Sequence, residues 1–351
     1  MLQKVEADAP SPKAGLSRSV YLWTLAAGLL VVLAASLPGH MTTDSVIQLA
    51  EGRTGAQRSF NPAFMSWLLG RFDSLLSGTS LFVAFNVALL FGALAALPRL
   101  AGRVSPLAAP VLMLVILSPQ VLIYQGAVWK DVFFANAAIA GTMLLALSAE
   151  RAGRLSGKAA WACGLVLLVV AALVRQNGIL ALGAGALAYG VAVGSGRGWR
   201  RGLAASGGLL AGGLILFLAA GLAMSKVMPS SSPQATGAGL RVIQHFDLVG
   251  VAARDPKASL EPLETEDPKA AATLRSLAPQ GYNPERVDNI SDAPGLGEAL
   301  WKTPKGAVAR TWAHVATTEF PDYAAHRLEV FRQAFLTPDI LACLFFAERR
   351  G

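Results

Sequence analysis

Charge is scarce in this sequence. Only 15% of its 351 residues are Asp, Glu, Lys or Arg, against about 25% in an ordinary soluble domain. That scarcity excludes intrinsic disorder, which needs high charge and low hydrophobicity, and it excludes a typical soluble enzyme. Cysteine is equally sparse: Cys163 lies inside an apolar block and Cys343 near the C-terminus, so no disulfide framework exists. The four histidines (His40, His245, His314 and His326) lack metal-ligand spacing and read as structural. No internal repeat of roughly 20–50 residues recurs, which excludes solenoids. Nor is there a run of Lys and Arg interleaved with aromatics, so the net charge of +8 does not point to nucleic acid.

What fills the chain instead is hydrophobic. Apolar residues make up 54% and gather in blocks that approach the ~20 residues needed to cross a bilayer. The blocks fall at 20–38, 79–97, 106–124, 132–148, 159–174, 178–193 and 203–224. They predict an all-α, polytopic membrane helix bundle of about seven transmembrane helices. The first block, Val20–Pro38, continues without a convincing cleavage site and reads as a retained signal anchor. Gly and Ala fill Leu182–Ala188 and Ser206–Gly213, as expected where helices approach closely in lipid.

Lys and Arg set the expected orientation. With the N-terminus inside, the cytoplasmic segments hold more than twice as many cations as the outer ones up to residue 224. Arg151, Arg154 and Lys158, then Arg197, Arg200 and Arg201, fall inside; Arg53, Arg58, Arg71, Lys130 and Arg175 fall outside. The expected organisation is a cytoplasmic tail (1–19), a seven-span module (20–224) with a first external loop at 39–78, and an external C-terminal segment (225–351). That segment opens with a Pro/Ser/Gly linker (Pro229–Gly239) and carries helical signals at Gly297–Thr318 and Tyr323–Leu336. Its closing run, Ile340–Ala347, is too short to span.

Polar residues concentrate in the external turns. In the first loop, Ser45-x-x-Gln48 reads as a capping box and Gly52 as a helix stop. Asp44, Gln48 and Glu51 share one face of that short helix, with Val46, Ile47, Leu49 and Ala50 on the other. Glu51, Arg53 and Arg58 read as solvated loop charges. Asn61-Pro62 reads as cap plus first-turn proline, opening a second juxtamembrane helix with Phe64, Trp67, Leu68, Phe72 and Leu75 on its membrane face. Trp129-Lys130-Asp131 and Arg175-Gln176-Asn177 then press charges against apolar blocks, where a cation is costly and commonly functional. All of these turns share the external side.

Acids and cations on that side suit sugar transfer from a lipid-linked donor. A carboxylate can take the proton of an attacking hydroxyl, and Lys or Arg can stabilise a leaving phosphate. The chain resembles the GT-C superfamily of integral-membrane glycosyltransferases, in particular the bacterial dolichyl-phosphate-mannose-mannosyltransferase-like proteins. The matching features are the early acid Asp44-Ser45 in a large loop after the first span, two juxtamembrane helices, a seven-span module, and the Trp129-Lys130-Asp131 and Arg175-Gln176-Asn177 turns. Asn61-Pro62 stands where many members carry His-Pro.

The resemblance implies Asp44 as catalytic base and Lys130 and Arg175 at the donor phosphate, with Gln48, Asn61, Asp131, Gln176 and Asn177 in support. It implies a polyprenyl-phosphate sugar donor, a glycan or lipid acceptor, and a multi-pass location in the bacterial inner membrane. The sequence departs from the family in carrying no Asp-x-Asp or Glu-x-Asp metal motif, so no cofactor and no metal site are expected, although a divalent metal stays compatible with the reading. Two rivals stand beside it: a transporter or flippase of an anionic lipid-linked substrate, and a non-catalytic membrane scaffold.

Overall fold

The computed structural model describes residues 12–102, 104–151, 153–231, 238–287 and 289–336. The start of the polar tail, Cys343 and the run Ile340–Ala347 lie outside the described residues. Within them the protein is helical, and its extended pairings are two isolated bridges, His40 with Ala127 and Gln57 with Ser230. The chain divides into two units, Met1–Thr236 and Gly237–Gly351. The division falls inside the Pro/Ser/Gly linker.

The first unit contains α1 (Pro12–Ser36), α2 (Thr43–Thr54), α3 (Ala63–Leu75), α4 (Ser80–Ala101), α5 (Ala108–Ile116), α6 (Pro119–Gly126), α7 (Lys130–Glu150), α8 (Leu155–Val174), α9 (Ile179–Arg197) and α10 (Trp199–Val227). Six of these, α1 (from Arg18), α4, α7, α8, α9 and α10, are long and apolar enough to cross a membrane. A helix satisfies its own backbone donors and acceptors, which lipid requires. Large apolar side chains remain exposed along them, including Leu180, Leu187 and Val191 of α9 and Leu218 and Leu222 of α10. Such a surface suits lipid and not water. The molecule is a polytopic membrane helix bundle.

The block at 106–124 is not one continuous helix. It breaks at Ser118-Pro119 into α5 and α6, which meet at a 55° bend. Ser118 caps α6, accepting from the amide of Val121, and Pro119 takes the first turn; proline has no N–H to continue the ladder from α5. The pair still traverses the bundle against α1. A Cβ on Gly28 would lie 2.6 Å from Ile116, and one on Gly126 would lie 2.8 Å from the His40 ring. The bent pair therefore returns the chain from the end of α4 to the start of α7, and counted as one span it raises the number of membrane-compatible segments from six to seven.

Close helix contacts fall where the sequence is rich in glycine. On α7 and α8, a Cβ on Gly141 would approach the carbonyl of Gly164 to 2.9 Å, and the reverse substitution to 2.8 Å. Gly213 of α10 sits against Leu182 of α9, 2.5 Å from a would-be Cβ. In lipid, such van der Waals contact is what holds helices together. A buried amide cluster adds to it: Asn136 of α7 donates to the side-chain oxygens of Asn86 on α4 and Gln125 on α6, each at 2.9 Å.

The first loop differs in detail from its expected form. The N-cap of α2 is Thr42, with Ser45 as its reciprocal partner, so Ser45 and Gln48 do not form the capping box. The helix runs through Gly52 and stops at Gly55, whose φ of +67° suits a residue without Cβ. Gly52 has another use: its missing side chain lets α2 pack directly on the backbone of Ser66 and Gly70 in α3. Helix α3 starts at Ala63, one residue later than the expected cap at Asn61 implies, with Pro62 in the cap position.

The buried face of α2 is the polar one, against expectation, whereas α3 keeps its expected membrane face outward. Helix α2 buries Ser45, Gln48, Leu49, Glu51 and Gly52 and leaves Val46 and Ile47 exposed. Helix α3 buries Met65, Ser66, Leu69 and Gly70, and Leu75 is exposed. At a bundle mouth in lipid, apolar side chains gain nothing by turning inward, whereas polar ones need partners there.

The second unit contains α11 (Ala238–Arg254), α12 (Leu263–Glu266), α13 (Pro268–Gly281), α14 (Asn289–Asp292), α15 (Leu296–Lys302), α16 (Lys305–Thr318) and α17 (Phe320–Leu336). The helical signal at 297–318 is split by Thr303-Pro304 into α15 and α16, and α17 covers the second signal. Leu248, Leu260, Leu263, Leu274, Leu300 and Val308 are fully buried in a core of this unit's own.

Candidate functional site at the mouth of the bundle

The site grows from the junction of two segments. After α1, the His40 amide donates to the carbonyl of Gly126 (2.7 Å), and the Val128 amide donates to that of His40 (2.9 Å). This bridge lays the start of α2 beside the start of α7. Ser45 Oγ donates to the Val128 carbonyl (2.5 Å), and Trp129 Nε1 donates to Thr42 Oγ1 (3.1 Å). Two helix N-termini are thereby held side by side.

Each N-terminus carries an acid in its first turn, Asp44 on α2 and Asp131 on α7, where the helix dipole favours negative charge. Lys130 is set against that preference and is held by partners. Its Nζ lies 3.2 Å from Asp44 Oδ2 and 2.8 Å from Asn61 Oδ1. Asp131 pairs instead with Arg175, at 2.6 Å, across the α8–α9 turn. Two cation–carboxylate pairs thus stand next to each other. The Arg175 guanidinium also lies 5.8 Å from the centre of the Phe134 ring.

A cavity of about 330 Å³ opens here, lined by Thr42, Thr43, Asp44, Gln48, Trp129, Lys130 and Asp131. The Lys130 side chain is 16% exposed and that of Asp44 48%, so the cation lies deeper than its carboxylate. Gln48 and Asn61 are each only 1% exposed. Gln48 Nε2 and Asn61 Nδ2 have no hydrogen-bond partner, and an unmet buried donor costs about 1–3 kcal/mol. The cavity therefore offers the Gln48 amide and the Lys130 cation in its lining, with a half-exposed carboxylate nearer the opening and the Asn61 amide behind Lys130.

Six of the eight site residues expected from sequence come together here: Asp44, Gln48, Asn61, Lys130, Asp131 and Arg175. Arg175 and Asn61 are outside the cavity lining and reach it through Asp131 and Lys130. Gln176 lies at the periphery, donating to the Phe60 carbonyl at 3.3 Å, and Asn177 sits in the exposed turn beyond it.

Glu51 is a correction. It is buried, and its carboxylate accepts from the amides of Arg58 (2.8 Å) and Ser59 (2.6 Å) and from Ser66 Oγ (2.6 Å). It therefore shapes the loop that delivers Asn61 to Lys130. Gln57 Nε2 adds a 2.7 Å bond to the Asn61 carbonyl. The available signal was an acid one helical turn before a loop rich in unmet amides. Arg53, by contrast, stays exposed and pairs with Asp73, whose carboxyl is held down to about 2 by that hydrogen bond and by the Gly78 amide.

The second unit has its own buried polar groups. Asp247 is fully buried and accepts from Trp312 Nε1 at 2.7 Å. It also pairs with His326 Nε2 (3.1 Å) and Arg327 (3.2 Å), and the Tyr282 hydroxyl meets His326 Nδ1 at 3.0 Å. Both ring nitrogens of His326 thus have partners, which fits a structural role. Arg241 donates to the carbonyls of Leu300, Trp301 and Thr303, ending α15, and to His245 Nε2. Burial, then the Arg241 charge, pushes His245 down to about 3.

Comparison of the chain with known protein families, with curated proteins and with solved structures returns no match. Its class as a membrane helix bundle rests on the fold alone.

Proposed function

We propose that the protein is a membrane glycosyltransferase of GT-C type, moving a sugar from a polyprenyl-phosphate donor to an envelope glycan or lipid. The observation that carries this reading is the Asp44–Lys130 contact in the lining of a cavity at the end of an apolar bundle, with Asn61 holding Lys130 from behind and Asp131–Arg175 beside it. Such a place suits a substrate whose tail is in lipid and whose phosphate and sugar are at the surface.

In the proposed reaction, donor phosphate oxygens take Lys130 and Arg175 from their carboxylates. Asp44, released from Lys130, accepts the proton of the acceptor hydroxyl. The hydroxyl oxygen bonds to the anomeric carbon, the bond from that carbon to the phosphate oxygen breaks, and the phosphate leaves with the electron pair, stabilised by both cations. The unmet donors of Gln48 and Asn61 suit the phosphate or a sugar hydroxyl. The N-terminus belongs in the cytoplasm and the mouth on the outer face of a bacterial inner membrane, because nucleotide-activated sugars are cytoplasmic and transfer outside needs a lipid-borne donor.

The test is transfer by purified protein from a panel of polyprenyl-phosphate hexoses and pentoses to a lipid or glycan acceptor. Release of polyprenyl phosphate with a glycosylated product supports the reading. Movement of the intact donor across vesicles without chemistry would replace it with a transporter.

A further inference from the structure

A second cavity lies at the other end of the spanning helices, away from the Asp44 mouth. It measures about 460 Å³ and is lined by Ser148, Gly153, Gly157, Lys158, Trp161 and Tyr189. These residues belong to the last turn of α7, the α7–α8 turn, the first two turns of α8 and the middle of α9. We propose that this cavity binds the headgroup of an anionic phospholipid.

Charge and depth together support the assignment. Lys158 is exposed in the lining, and Arg151 and Arg154 occupy the same α7–α8 turn. Arg197 is tied to that turn by a bond from its guanidinium to the Ala149 carbonyl, 3.3 Å. The positive end of α8 adds to this field: Arg154, at its N-cap, makes no side-chain cap. Glu150 is the single acid among these positions.

Two glycines belong to the lining. Gly153 turns the chain at φ +86°, and Gly157 packs on the backbone of Arg151 too closely for any side chain. At 1.5 Å per helical residue, Trp161 lies about 9 Å inside the start of α8 and Tyr189 about 12 Å inside the end of α9. Cations thus rim the opening and amphipathic aromatics form its deeper wall. That order matches a phosphodiester at the surface with glycerol and acyl chains beneath it. Basic pockets between spanning helices are a recurrent way of holding acidic lipid headgroups. A free phosphate would use the rim alone; the aromatic wall favours the lipid.

The test uses the full chain in a neutral detergent, titrated with dioleoylphosphatidylglycerol, dioleoylphosphatidylcholine or inorganic phosphate. Melting is followed, and retained lipid is counted by native mass spectrometry. Phosphatidylglycerol is expected to raise the melting temperature by several degrees and to stay bound, with the other two ineffective. The double variant Arg154→Gln/Lys158→Gln should lose that preference by at least ten-fold in apparent affinity. Lys158→Arg should keep it, as should Arg99→Gln, which removes an exposed cation from the end of α4. Equal stabilisation by phosphatidylcholine, full reproduction by inorganic phosphate, or an unchanged preference in the double variant would each overturn the assignment. If the double variant melts early in all lipids, loss of preference in Trp161→Leu with Lys158→Arg still binding supports the site, and retained preference in Trp161→Leu rejects it.

Discussion

Asp44 and Glu51 sit seven residues apart on one helix, yet their environments give them different work. Asp44 is half exposed with one cationic partner, whereas Glu51 is buried under three donors. Asp44→Asn preserves shape and removes basicity. Expression and membrane insertion should be normal, while sugar transfer falls by about 10²–10⁴. Wild-type transfer by this variant would reduce Asp44 to a helix-end charge. Glu51→Ala should act on stability instead: stranding two amides and a hydroxyl, at about 1–3 kcal/mol each, it should lower the melting temperature sharply and reduce the yield of folded protein. A Glu51→Ala protein that melts like wild type would refute the loop-shaping role. The sequence pointed to Asp44, Lys130 and Arg175 because charges pressed against apolar runs stand out. Glu51 was misread because a helical wheel separates two faces without saying which one meets lipid.

At the scale of elements, glycine decides how closely helices pack, and it leaves a sharp expectation at α2 and α3. Adding one methyl in Gly52→Ala drives Cβ into the backbone of Ser66 and Gly70, neither of which can rotate away. The two helices must separate, and the variant should melt several degrees lower, with Asn61 displaced from Lys130 and donor binding weakened as well. Unchanged melting would mean that the helices are not in backbone contact. The seven apolar blocks were legible from composition and length. The break of the third at Ser118-Pro119 was present in the residues too, but a window that averages hydropathy passes over one proline. The second unit titrates as an element in its own right. His245 on α11 has its pKa lowered to about 3, from 6.5, by burial and then by Arg241. The unfolded chain takes up that proton first, so the stabilisation is complete above about pH 6.5 and is lost as pH falls towards 3, at up to about 1.4 kcal/mol per pH unit. Amide exchange of α11 and α15 in the full chain should accelerate across that window, and His245→Gln, which cannot titrate, should flatten the response. An equal acid response in the variant would assign it to another group.

For the whole molecule, orientation decides whether the proposed chemistry has its substrate. The Asp44 mouth and the Lys158 cavity lie at opposite ends of the same helices, so fixing the side of one fixes the other. The proposed function needs the mouth outside, the side that the cation bias of the sequence leads one to expect, where a donor must arrive in the bilayer. Exposed positions near each end offer a direct reading: Ser77 and Gln176 near the mouth, Ser105 and Ser195 at the far end. In a Cys163→Ser/Cys343→Ser background, single cysteines at Ser77 and Gln176 should react with an impermeant thiol reagent added to intact cells. Those at Ser105 and Ser195 should react only after the membrane is opened. The reverse pattern would place Asp44 beside the cytoplasmic pool of nucleotide sugars, remove the need for a lipid-linked donor and end the glycosyltransferase reading in its present form. The phospholipid cavity would survive that result, because its chemistry depends on lying at a headgroup surface and not on which surface it is.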